Sequence, residues 1–128
     1  MPQTIASRLR TALLRIDGIA ESGSAFSKGD AFWINGTQIA HFMSDDTIEL
    51  RLTRREISAR RAQLKPDHRV VLRPSGADWM TLLFTSPRDV EWIIELARVA
   101  AAAHAPAPGV PAKPPPVGAA LERRRRFH

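Results

Sequence analysis

Cysteine is absent from this 128-residue chain. A disulfide framework, a thiolate zinc site and a cysteine nucleophile are therefore excluded, and a reducing compartment suits the composition. Long apolar runs are also missing. The segment MPQTIASRLRTALLRIDGIAE is interrupted by Arg8, Arg10 and Arg15, so neither a signal-peptide core nor a membrane span is expected, and a soluble cytoplasmic protein is. Histidines and carboxylates do not recur at ligand spacing. Asp67-His68 has no glutamate or histidine at a matching short interval, so no metal is expected.

What is present suffices for one modest core. Hydrophobic residues make up 44% of the chain, enough for a single domain and too little for two. The formal charge of +6 is unevenly spread: residues 105–128 hold Lys113, Arg123, Arg124, Arg125 and Arg126 against Glu122, which places +4 there and leaves +2 for residues 1–104. The same stretch contains Pro106, Pro108, Gly109, Pro111, Pro114, Pro115, Pro116 and Gly118. Lacking ladder donors and apolar periodicity, residues 105–128 are expected to be an extended, disordered basic tail, with the domain boundary near His104.

The domain is punctuated clearly. Ile5, Leu9, Leu13 and Ile16 fall on one face of a helix ending near Asp17-Gly18. Asn35-Gly36 accepts the positive φ of a type I′ turn, so Phe32-Trp33-Ile34 should fold back on Thr37-Gln38-Ile39, pairing Ile34 with Thr37 and Phe32 with Ile39. Alternation then places Phe32, Ile34, Ile39 and His41 on one face and Trp33, Gln38, Ala40 and Phe42 on the other. After a turn at Ser44-Asp45-Asp46, Ile48, Leu50 and Leu52 alternate with Glu49 and Arg51. Thr53-Arg54-Arg55-Glu56 has capping-box spacing and starts a short helix through Ile57 and Leu64. Arg69 to Leu72 and Trp79 to Phe84 read as strands joined through Pro74-Ser75-Gly76. Ser86-Pro87-Arg88-Asp89 opens a last helix, apolar at Val90, Ile93, Ile94, Ala97 and Ala101. The order predicts an α+β fold in which helices cover one face of an antiparallel sheet of five or six strands, a meander plus a hairpin, and leave the other face partly open.

No catalytic constellation emerges from spacing, but several residues are candidates for chemistry. His41 lies within a strand pattern, where its ordinary pKa would let it act as a general base; the plainer expectation is a half-buried histidine bonded to a neighbouring strand or carboxylate. Glu49 and Arg51 share a face of the next strand and could orient His41 or clamp an anion. Arg54, Arg55, Arg60 and Arg61 read as a solvated helix surface. Trp33, Trp79 and Trp92 read as core, with an aromatic pocket as the alternative. Arg123 to Arg126 would attract phosphate groups in a salt-sensitive way.

AFWINGTQIAHF, IELRLTRREI and DWMTLLFTSPRDVEWIIELARVA together resemble the luciferase-domain family, small bacterial proteins similar to a domain of fungal luciferases. The likeness spans roughly residues 24–103, and its most specific parts are Ala40-His41 before the acidic turn and Ser86-Pro87-Arg88-Asp89 with Glu91. Met43 and Glu49 depart from the family pattern, which places further histidines there. The layout is also similar to the N-terminal domain of competence regulators. The family resemblance implies cofactor-free oxidation, or binding, of a small aromatic compound. His41 would take a substrate proton, Arg51 or Arg73 would hold the oxyanion, and Trp33 and Trp79 would contact the ring. The alternative is a noncatalytic module that binds a protein, a second copy of itself or, through Arg123, Arg124, Arg125 and Arg126, nucleic acid.

Overall fold

In the computed structural model, which describes residues 3–25, 29–74 and 76–126, the hairpin turn adopts the conformation its sequence requires. Asn35 and Gly36 have φ of 49° and 75°, both left-handed as in a type I′ turn, so β2 (Asp30–Ile34) folds back on β3 (Thr37–Ser44). β1 (Ala20–Gly23) pairs with β2, and β4 (Thr47–Arg51) pairs with β3. The chain then leaves the sheet through helix α2 (Arg54–Leu64), forms edge strand β5 (Val70–Leu72), and returns as β6 (Trp79–Leu83) between β5 and β4. The result is an antiparallel sheet of order β1-β2-β3-β4-β6-β5. Ser75, within the Pro74-Ser75-Gly76 junction, lies outside the described residues.

Helices α1 (Ile5–Leu14) and α3 (Pro87–His104) pack against each other, and α3 crosses β3 and β4. Leu9 and Leu13 of α1, Ile93, Ala97 and Ala100 of α3, and Ile57 and Leu64 of α2 bury one face of the sheet with Ile48, Leu50, Met80 and Leu82. Each fully buried leucine, isoleucine or methionine among these contributes about 1.5–3 kcal/mol. α3 starts as its sequence predicts. Pro87 occupies the first turn, and Ser86 and Asp89 form a reciprocal capping box. At α2 only half of the expected box forms: Thr53 Oγ1 accepts from the Glu56 amide at 3.2 Å, but the Thr53 amide donates to the Asp78 carbonyl at 3.1 Å. Glu56 turns instead to Arg60, one helical turn on.

Two expectations for the first hairpin are corrected by a β-bulge. Ile34 does pair with Thr37 and Trp33 with Gln38, but Phe32 pairs with Ala40 rather than Ile39. The extra residue, Ile39, shifts the alternation by one position. Ala40 and Phe42 therefore join Phe32 on the helix-covered face, where Phe42 meets Phe32 and Phe84 edge to face with ring centroids 5.9 and 6.0 Å away. His41 moves from the face assigned by strict alternation to the opposite one, alongside Gln38 and Trp33. The tail is corrected too: residues 119–126, where no regular structure is expected, form helix α4 (Ala119–Arg126) packed on Trp33.

Candidate functional site on the second sheet face

The bulge creates the site. In regular β structure residues three apart lie on opposite faces; the extra residue between Gln38 and His41 puts both side chains on the face that α1 and α3 leave uncovered. Gln38 and His41 are only 3% and 6% exposed, so their polar atoms must find partners within the protein. The Ala25 amide donates to Gln38 Oε1 at 2.7 Å, which fixes the orientation of the side-chain amide. Gln38 Nε2 then faces Ser24 Oγ at 3.1 Å and His41 Nδ1 at 3.2 Å. As a donor, that amide leaves Nδ1 as acceptor and places the ring proton on Nε2. His41 Nε2 lies 3.3 Å from Glu49 Oε2, and Glu49 Oε1 accepts from Arg73 Nη2 at 2.7 Å. Glu49 is the direct cross-strand neighbour of His41, and Thr81 continues the row.

A continuous polar chain thus runs from Ser24 through Gln38, His41 and Glu49 to Arg73. Burial pushes the His41 pKa below its ordinary value, with Arg73 acting in the same direction and the Glu49 carboxylate opposing them. The imidazole is consequently neutral at neutral pH. Both ring nitrogens are engaged, one receiving a hydrogen and one giving it, a wiring suited to holding the ring in place.

Beside this chain lies an aromatic and cationic cluster. Trp79, opposite Arg51 on the neighbouring strand, has its ring centroid 5.7 Å from that of His41 and 5.8 Å from the Arg51 guanidinium carbon. Arg51 Nη2 is 3.5 Å from Asp78 Oδ2, in a half-exposed pair that contributes little. Its Nε is buried without a hydrogen-bond partner among the described residues. Asp78 is held by its second oxygen, which caps the Arg54 amide at 2.9 Å. Thr53, two residues after Arg51, has φ of 93°, a conformation unfavourable for a β-branched side chain.

The structure therefore brings together His41, Glu49, Arg51, Arg73 and Trp79 of the candidates named from sequence, and separates the remaining ones. Trp33 is on the same face but belongs to the cluster of Ala25, Ala31 and Leu121. Trp92 is on α3, with the Arg69 guanidinium 3.8 Å above its ring, so the three tryptophans form no common pocket. Arg54 and Arg55 are exposed, as a solvated surface requires. Arg124 and Arg125 direct hydrogen bonds to the Gly36 and Ser24 carbonyls, while Arg123 and Arg126 are exposed. Gln38 and Ser24 were not among the candidates: nothing in the sequence announces a bulge at Ile39.

A second polar cluster is structural. Arg69 bridges Asp67 and Asp89 at 2.8 and 2.9 Å, and Asp89 also accepts from the amides of Thr85 and Ser86. The Arg69 hydrogen bonds hold the Asp67 carboxyl below its ordinary range, and for Asp89 the Thr85, Arg69 and Ser86 bonds outweigh an opposing effect of burial. This cluster ties β5 to the start of α3. Among the described residues no group of three or more histidines and carboxylates is placed to hold a metal ion, and no helix is long and apolar enough to cross a membrane. No known protein family, curated protein or solved structure matches the chain.

Proposed function

We propose that this protein is a noncatalytic binding module whose second sheet face takes a small planar aromatic anion, such as an aromatic carboxylate. The observation that carries this reading is the Arg51–Trp79 pair, a guanidinium with an unspent buried Nε–H beside a partly exposed indole. The ring of the ligand stacks on Trp79, and its carboxylate takes Arg51 from the weak contact with Asp78. Arg73 supplies a second positive charge at the rim. His41 forms the floor, held by Gln38 and Glu49. Its Nδ1 lone pair is already used, which favours binding over the proton abstraction implied by the family resemblance.

Calorimetric titration with 2-naphthoate and its uncharged amide tests this. Naphthoate is expected to bind the wild type with a Kd below about 1 mM, and the amide about tenfold more weakly. Arg51→Ala and Trp79→Ala should each cost about tenfold in affinity, one contact of roughly 1.4 kcal/mol. Equal affinity for acid and amide, or for wild type and Arg51→Ala, would sink the proposal. Oxygen uptake with hydroxylated aromatics that disappears in His41→Ala would replace it with the oxidative reading.

A further inference from the structure

The C-terminal helix occupies a part of the second face that the aromatic ligand leaves unused. Residues 105–118, with six prolines, contain no helix or strand; α4 then packs beside β1 and β2. Its apolar anchor is Leu121, 8% exposed against Ala25, Ala31 and Trp33. The seat for that leucine is made by a missing side chain. A Cβ on Gly23 would stand 2.6 Å from Leu121 Cδ2 and 3.3 Å from Arg125 Nη2, and each of its nearest neighbours belongs to α4. Gly23 has no positive φ, so the backbone of β1 does not require glycine. A strand glycine of this kind weakens the strand and marks the close approach of another segment.

The polar contacts around the anchor are matched as well. Arg125 Nε donates to the Ser24 carbonyl, Arg124 Nη1 to the Gly36 carbonyl, and the Lys113 amide to Asn35 Oδ1, each at 2.9 Å. The Arg124 guanidinium carbon is 5.6 Å from the Trp33 ring centroid, and Glu122 takes Arg125 Nη1 at 2.7 Å. An isolated helix as short as α4 is unstable in water, so its folding depends on this docking.

We propose that Gly23, Ala25, Ala31, Trp33 and Gly36 form a receptor surface for a basic helix, and that α4 occupies it as a detachable intramolecular ligand. The recognised pattern is a leucine followed by arginines three and four positions later. The proline-rich connection, itself anchored where the Lys113 amide meets Asn35, keeps α4 at high local concentration beside this surface. Ser24 links this surface to the polar chain: its carbonyl holds Arg125, and its hydroxyl meets Gln38, which orients His41.

Competition in the full-length chain tests the proposal. A fluorescent peptide of residues 113–126 is titrated into the wild type, into a chain carrying Leu121→Asp and Arg125→Glu, whose own helix is released, and into the released chain carrying also Gly23→Val. Valine suits a strand, and the Cβ it adds meets only side chains of the docked helix. The peptide is expected to bind the released chain, to bind the wild type at least about tenfold more weakly because the seat is filled, and to lose binding with Gly23→Val. Equal binding to wild type and released chain, binding that survives Gly23→Val, or no binding to a released chain whose circular dichroism is native would overturn it. As a second readout, Gly23→Val alone should speed tryptic cleavage at Arg123–Arg126 by about tenfold; unchanged cleavage is contrary evidence. Neither measurement uses the aromatic ligand, so failure here leaves the Arg51–Trp79 site standing.

Discussion

Gln38→Glu is the sharpest perturbation of the polar chain, because it changes one atom and reverses a sign. In the wild type, Gln38 Nε2 lies 3.2 Å from His41 Nδ1 and gives that nitrogen a hydrogen. An introduced carboxylate keeps the oxygen that accepts from Ala25 but places a second acceptor against the Nδ1 lone pair. The contact is relieved by protonating His41. The cation then lies between two carboxylates, each close enough to raise a histidine pKa by about 1–3 units, or about 1.4–4 kcal/mol. The consequence for stability follows by linkage. In the wild type the folded-state pKa lies below the ordinary value of 6.5, so the unfolded chain binds more protons and stability rises as pH increases through that region. In Gln38→Glu the folded-state pKa lies above 6.5; the added stability is present below 6.5 and is lost as pH rises through the new pKa. Urea denaturation between about pH 5 and 8.5 should therefore give slopes of opposite sign, and long-range proton–nitrogen spectra should show Nε2–H alone in the wild type at neutral pH and both nitrogens protonated in the variant. The same sign of slope in both proteins, or a wild-type ring carrying its proton on Nδ1, would refute the assignment.

Other variants probe the scaffold. Asp89→Ala removes the carboxylate half of the α3 capping box and one arm of the Arg69 bridge and should cost about 2 kcal/mol in urea denaturation at neutral pH; because the Asp89 pKa is depressed, the deficit should shrink only as pH falls below about 3.8. Thr53→Gly relieves a backbone conformation costing about 1–3 kcal/mol at the loss of a few tenths from the cap, so the melting temperature should rise, and a fall would contradict the strain. Arg60→Ala, which removes a half-exposed intrahelical pair with Glu56, should change stability by less than about 0.5 kcal/mol.

Where local chemistry decides, the fold was legible in the sequence. Asn35-Gly36 specified its turn, Ser86-Pro87-Arg88-Asp89 its helix start, and the alternation of Ile48, Leu50 and Leu52 its buried face. The site was less legible because it depends on a one-residue irregularity. Strict alternation put His41 with Phe32, whereas the bulge at Ile39 put it with Gln38, and no propensity marks Ile39 as the extra residue. Ala20–Gly23 was not foreseen as a strand, its short polar pattern carrying no apolar alternation; its role appears only once β2 pairs with it and Leu121 seats on Gly23. Likewise, composition alone describes α4 as a charge run, and only the packed Trp33 face gives its single leucine a place to go.

The central claim, a planar anion held by Arg51 and Trp79, is tested most directly by proton–nitrogen NMR of the full chain titrated with 2-naphthoate. The expected result is saturable shifts of the Trp79 indole N–H and Arg51 Nε–H, with the Trp92 indole and the Arg123 and Arg126 side chains unmoved. Silence at Trp79 and Arg51, or shifts that follow the tail arginines instead, would contradict it.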